Sequence, residues 1–183
     1  VGDKVYFKGN NPNGFSEKER YNQFVMTGSI AASGSVMSLV DGTGQGKKIP
    51  GEYTFNSLFN KCTSLTTAPE LPATVLSVGC YDSMFSSCGA LMQAPVLPAT
   101  TLADECYACM FYDCGNLTQA PVLAAQKLAE GCYRRMFSGC AKLKNAPALP
   151  ATSLEEDCYA GMFSRCVALK QSPDLPSTVL AEG

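Results

Sequence analysis

The chain has 183 residues, 46% of them aliphatic, aromatic or cysteine and 16% charged, with a formal net charge of −2. That composition supports a continuous core and excludes a disordered chain, and the near-neutral balance excludes the clustered Lys and Arg of a nucleic-acid footprint. No apolar run approaches the roughly 18 residues of a membrane helix, so no transmembrane segment is expected.

There is no histidine and no tryptophan. Without His the chain lacks the commonest general base and the commonest metal ligand, which weighs against an enzyme.

Residues 1–48 are not repetitive. Val5 and Phe7 alternate with Lys4 and Lys8, and the turn signal NNPNG follows. EKER at 17–20 is a solvated patch, and QFVMTGSIAASGSVMSLV supplies two or three short strands punctuated by Gly28 and Gly34. DGTGQGKK at 41–48 is Gly-rich, but Lys47-Lys48 run into Ile-Pro-Gly rather than Ser/Thr and a helix, so a plain loop is expected and not a phosphate cradle. The segment reads as a β-rich N-terminal cap over the first open unit of a repeat array.

From Ile49 the chain repeats every 26 residues. The register is fixed by Cys62, Cys88, Cys114, Cys140 and Cys166, by Leu65, Leu91, Leu117, Leu143 and Leu169, and by the Met-Phe pairs beginning at Met84, Met110, Met136 and Met162. The domains are therefore the cap, 1–48, and a solenoid, 49–183: a half-repeat 49–70, repeats 71–96, 97–122, 123–148 and 149–174, and a partial 175–183. Such units are too small to bury their apolar faces alone and do so by stacking. In each repeat a short segment such as Leu117–Leu123 predicts an extended rung, with Pro95, Pro121 and Pro147 at its end, where ladder hydrogen bonding lapses. In the return half Leu102, Cys106, Tyr107, Met110, Phe111 and Cys114 fit one face of a helix. Acids such as Asp104, Glu105 and Glu130 would sit in its first turn; a calcium site is the costlier reading of that acidic row. The expected fold is an α/β solenoid with short parallel strands on one face and short helical turns on the other.

These motifs, Cys88-Gly-Ala-Leu91, Ala94-Pro95-Val-Leu97-Pro98 and Tyr107-x-x-Met110-Phe111-x-x-Cys114, resemble the BspA-like branch of the leucine-rich repeats, found on surface proteins of anaerobic bacteria. The likeness covers about 49–183. The repeat is longer than the usual family unit, Ala-Pro replaces the commoner Ile-x-Ile of the strand, and the third repeat has Ala124 for Pro and Gln126 for Thr. The resemblance implies a right-handed coil, a cell-surface or extracellular location, and binding of host or matrix proteins. It carries no catalytic site.

Nine of the ten cysteines fall in two columns. They read either as buried free thiols filling small apolar gaps or as cross-repeat disulfides, Cys62–Cys80, Cys88–Cys106, Cys114–Cys132 and Cys140–Cys158. Zinc spacing is absent, since Cys106-x-x-Cys109 has no matching second pair. No catalytic, cofactor or metal residue is assigned.

The positions that the repeat leaves free form columns beside each rung. One is Thr66, Met92, Thr118, Lys144, Lys170, the next Thr67, Gln93, Gln119, Asn145, Gln171, and a third Glu70, Val96, Val122, Ala148, Asp174. The stacked amides either hydrogen-bond along the stack and stabilise it, or form a recognition strip with Met92, Gln93, Thr118, Gln119, Lys144, Asn145, Lys170 and Gln171 as a protein-binding face. The expected function is a non-catalytic interaction or adhesion module; the alternative is a structural spacer in a longer surface protein. A start at Val1 and a stop inside a repeat read as a trimmed piece. More chain is expected beyond Gly183, or end-to-end self-association through the open last repeat.

Overall fold

The computed structural model describes residues 3–177; Val1, Gly2 and residues 178–183, most of the partial repeat 175–183, lie outside the described part. Three regular elements occur among the described residues: β1 (Ile30–Ala31), α1 (Ser38–Asp41) and β2 (Leu65–Thr67), with β1 parallel to β2. Everything else is organised by stacking at the repeat distance. Two columns of rings run through the molecule. One is Phe55, Tyr81, Tyr107, Tyr133, Tyr159; the other is Phe59, Phe85, Phe111, Phe137, Phe163. Centroids lie 5.6–6.0 Å apart and planes within 11° of parallel. This is the offset-stacked range in which rings attract beyond simple burial. Residues 26 apart therefore touch their own counterparts, with Phe85, Phe111 and Phe137 fully buried.

The return halves are not the short helical turns that the apolar spacing predicts. Every fourth residue has a left-handed backbone: Tyr53, Ser57, Lys61 in the first unit, then Gly79, Ser83, Ser87, and so on to Asp157, Gly161, Arg165. The amides alternate in destination. Those of Tyr107, Cys109 and Phe111 donate to the carbonyls of Cys132, Arg134 and Met136 in the next repeat, while those of Ala108, Met110 and Tyr112 donate three residues back to Glu105, Tyr107 and Cys109. Five such cross-repeat bonds, 2.7–3.0 Å long, join each pair of neighbouring return halves from Tyr53 to Ser164. A helix spends every amide within itself; here half of them tie one unit to the next. The buried set Cys106, Tyr107, Met110, Phe111, Cys114 has a period of four, and over so short a run four cannot be told from 3.6.

The cap is less β-rich than its sequence predicts. Beyond the two residues of β1 it contributes α1, an antiparallel bridge between Asn10 and Asp41, and single parallel bridges from Ser35 to Glu70 and from Lys48 to Val75. It continues the stacked order of the repeats by mimicry. Phe24 donates its amide to Leu58 and sets its ring, tilted, 5.4 Å from Phe59, and Phe7 packs at a tilt against Phe24 at 4.8 Å. The loop after α1 is closed by its own aspartate: Asp41 accepts the amides of Thr43 and Gly44 on Oδ1 and of Gly46 on Oδ2. Burial opposes the charge, but these amides outweigh it and hold the Asp41 carboxyl below its usual range. The amides a phosphate would need are thus already occupied.

At the opposite end, the amides of Asp157, Tyr159, Gly161, Phe163 and Arg165 have no acceptor among the described residues, and Tyr159 and Phe163 are half-buried where their counterparts are fully enclosed.

Glycines in the left-handed column let side chains clasp over a whole repeat. Tyr53 reaches past Gly79 to donate to Glu105 at 3.3 Å, and Arg165 reaches past Gly139 to Tyr112 and Asp113, both at 2.9 Å. A Cβ on Gly79 would overlap the Tyr53 ring, and one on Gly139 would overlap the Asp113 carboxylate. Gly139 also has φ +81°. Gly139→Ala is therefore expected to lower unfolding free energy by about 1–3 kcal/mol, against less than about 1 kcal/mol for Arg165→Ala, which loses an exposed ion pair to Asp113 and exposed contacts to Tyr112. Urea unfolding midpoints of the two variants check the order; an Arg165→Ala cost equal to or above that of Gly139→Ala would contradict it.

Candidate functional site

The strand side is where the units fail to knit together. Next to the cap the pairing is complete: Ile30 donates to Ser64, Ala32 to Thr67 and Val36 to Glu70, and Glu70 donates back to Gly34. Further along only single contacts remain, a parallel bridge between Gln93 and Gln119 with the Thr118 amide donating to Met92, and a bridge between Thr101 and Lys127. Between the rungs at 119 and 145, and between those at 145 and 171, no main-chain hydrogen bond crosses among the described residues. Pro121, Pro147 and Pro173 each remove one N–H from their rungs, as Pro69 does in the first rung, which still pairs with the cap through its carbonyls and the Glu70 amide.

Two grooves open at these unpaired places. One, of about 910 Å³, lies between the segments 144–150 and 170–176; the other, of about 330 Å³, lies between 118–123 and 145–148. Thr118, Gln119, Lys144, Asn145, Lys170 and Gln171, the expected column residues of the last three rungs, all line one groove or both. Met92 and Gln93 lie outside them but are exposed on the same columns, Met92 at 59%. Gln93, Gln119, Asn145 and Gln171 make no side-chain hydrogen bond to one another among the described residues. The amides are not spent on a stabilising ladder. Nor do Lys144 and Lys170 take part in any of the ion pairs found among the described residues, which join Glu105 to Lys18 and Arg134, and Asp113 to Arg165.

The acidic row on the return side is divided up in other ways. Glu105 is held by Arg134 at 2.8 Å and by Tyr53, and no cluster of three or more acids, cysteines or histidines fit to hold a metal occurs among the described residues. With no helix there, the helix-start explanation of these acids also falls. Sequence reasoning missed an apolar patch on the cap, where Val5, Tyr6, Phe7, Tyr21 and Val25 are 47–86% exposed. The alternation of Val5 and Phe7 with lysines was the signal available for it.

All ten cysteines are free, and all but Cys109 are buried. Cys88, Cys114, Cys140 and Cys166 each donate a thiol hydrogen bond of 3.0–3.2 Å to the carbonyl of the phenylalanine 29 residues before it. Cysteine suits that column because it is small, apolar and still able to satisfy a buried carbonyl.

Compared with protein-family models, with curated proteins and with solved structures, the chain matches none.

The thiol columns set an alkaline limit on the fold. Burial pushes Cys80, Cys88, Cys132 and Cys140 from the ordinary 9.0 up to about 12. Below pH 9 folded and unfolded thiols are both protonated, so nothing is lost. Above it the unfolded chain ionises first, and stability falls by up to about 1.4 kcal/mol per pH unit for each such thiol until the folded groups titrate near pH 12. The urea midpoint is expected to be level up to about pH 8 and to fall steadily beyond pH 9; a level midpoint up to pH 11 would contradict the assignment.

Proposed function

We propose that this chain is a non-catalytic protein–protein interaction or adhesion module, a leucine-rich-repeat solenoid of BspA-like type from a bacterial cell-surface or secreted protein, that binds through its strand-side columns. The observation that carries the reading is the state of those columns. Six residues named from the repeat line two grooves with side chains that are neither buried nor engaged with each other. A rigid frame that leaves one row of polar side chains unspent is how stacked-repeat proteins present a binding surface. The motif resemblance supports a host or matrix protein as the partner and an extracellular setting. End-to-end self-association belongs to the same proposal, because the five amides of the last return half that lack an acceptor among the described residues call for a row of carbonyls. Sedimentation with no dependence on concentration would remove that part.

The rival reading is a spacer whose cross-repeat ladder serves length and stiffness alone. The two separate in a binding assay against immobilised fibronectin, fibrinogen, laminin and collagen. Combining Gln119→Ala with Lys144→Glu is expected to weaken binding to the responsive protein by about tenfold or more while leaving the unfolding midpoint unchanged, both side chains being exposed. Equal binding by wild type and variant, or no binding by the wild type to any of the four, favours the spacer.

A further inference from the structure

The two grooves join into a trough that crosses the rung face. Asn145, Ala146, Pro147 and Ala148 line both, so the grooves run into one another over this rung. No chain enters between the rungs themselves, because the ring columns hold these repeats 5.8–6.0 Å apart. A ligand here lies over the rungs and meets their side chains.

Those side chains are graded along the stack. Each rung is small in the middle, at the half-buried Ala94, Ala120 and Ala146, and larger at its two margins. Towards the cap the margins are apolar and exposed, Met92 at 59% and Val96 and Val122 at 79% each. Exposed apolar side chains gathered on adjacent rungs mark a contact surface. At the far end one margin carries Lys144 and Lys170, both exposed and outside the ion pairs found among the described residues. The other margin begins at the exposed Glu70 beside the cap and ends at Asp174.

These dimensions suit a helix. The five residues of a rung span at most about 14 Å, and a helix with its side chains is about 10–12 Å wide. Along the stack the ring columns step by 5.6–6.0 Å, close to the helical pitch of about 5.4 Å, so one turn meets one repeat. The charges set its direction: the lysines favour the negative C-terminal end and Glu70 the positive N-terminal end. A second copy does not supply such a helix, since the one helix among the described residues is α1, of four residues.

We propose that this trough binds an amphipathic helix of a partner protein, lying along the stack with its apolar stripe on Met92, Val96 and Val122 and acids of its last turns on Lys144 and Lys170. It is a helix-in-groove contact. The proposal rests on the adhesion reading and names the chemistry of its ligand.

The probe is the fluorescein-labelled peptide ALKQLLAQLAKEEAQE, whose leucines form one helical stripe that its glutamates continue. It is titrated into the full chain and followed by anisotropy. One control, ALKQLLAQLAKKKAQK, reverses the acids; the other, ALKQLLAPLAKEEAQE, breaks the helix with a proline placed off the stripe. The acidic peptide is expected to bind saturably, about tenfold or more tighter than either control. Lys144→Glu with Lys170→Glu should reverse the preference between the acidic and basic peptides. Val96→Ser with Val122→Ser should weaken the acidic peptide by about fivefold or more, with unfolding midpoints unchanged because all four side chains are exposed. Equal binding of the proline peptide, as an extended ligand would give, equal binding of the basic peptide, or no binding up to about 1 mM overturns the proposal. If the matrix-protein assay responds to Gln119→Ala with Lys144→Glu while the acidic peptide does not bind, the helix proposal alone fails. If the peptide binds as described and no matrix protein does, the matrix-partner reading alone fails.

Discussion

The alternation of backbone amides in the return halves is the constraint on which the molecule depends. With one left-handed residue in four, every second N–H leaves its own unit and bonds to the carbonyl 25 residues on. Each repeat interface thus gains five main-chain bonds, each worth about 0.5–1.5 kcal/mol net. The rings could not stack so evenly without this, since it fixes both spacing and rotation of one unit on the next. The cost is backbone strain at residues such as Glu105, Cys109 and Asp113, whose φ values lie at 50–53°, a region that L-residues enter with difficulty. Glycine removes that cost at Gly79, Gly131, Gly139 and Gly161, and at Gly79 and Gly139 it also leaves the opening through which clasps form.

How the interior is filled follows from that spacing. Rings occupy two columns and methionine and leucine others, all buried, while cysteine, small and able to answer a carbonyl, occupies the column of Cys88, Cys114, Cys140 and Cys166. Tyr81 and Tyr107 are the exception: their hydroxyls are buried without a partner, a penalty of a few kcal/mol at most that the stacked rings outweigh. Phenylalanine at the same place in the first unit, Phe55, carries no such penalty.

The repeat period and the ring columns were both legible in the residues, because each follows from recurrence at 26. Met84-Phe85 and its successors announce a buried column with no knowledge of backbone shape. The return conformation was not legible. Cys106, Tyr107, Met110 and Phe111 satisfy a helical stripe and a four-residue turn series equally, and the left-handed positions carry Ser, Glu, Cys, Asp and Arg as well as Gly, so no glycine rule exposes them. The rungs were half legible: proline predicted a lapse in pairing, but the grooves that result depend on how far neighbouring segments stand apart, which no single rung's sequence encodes. The cap's strand content was overestimated because Val5, Phe7 and Val25 carry strand propensity without a partner edge to pair with.

The two sides of each repeat are therefore in tension, and the candidate site is its outcome. The return side holds neighbouring units at one close distance through bonds that every residue type can make. The rung side carries a proline per repeat, which removes one donor from each rung, and beyond the first rung few main-chain bonds cross between rungs among the described residues. A buried unpaired amide would be prohibitive, but on an exposed face water satisfies it at little cost. Such groups are exchangeable: another chain can replace the water, as residues 30–36 do at the first rung.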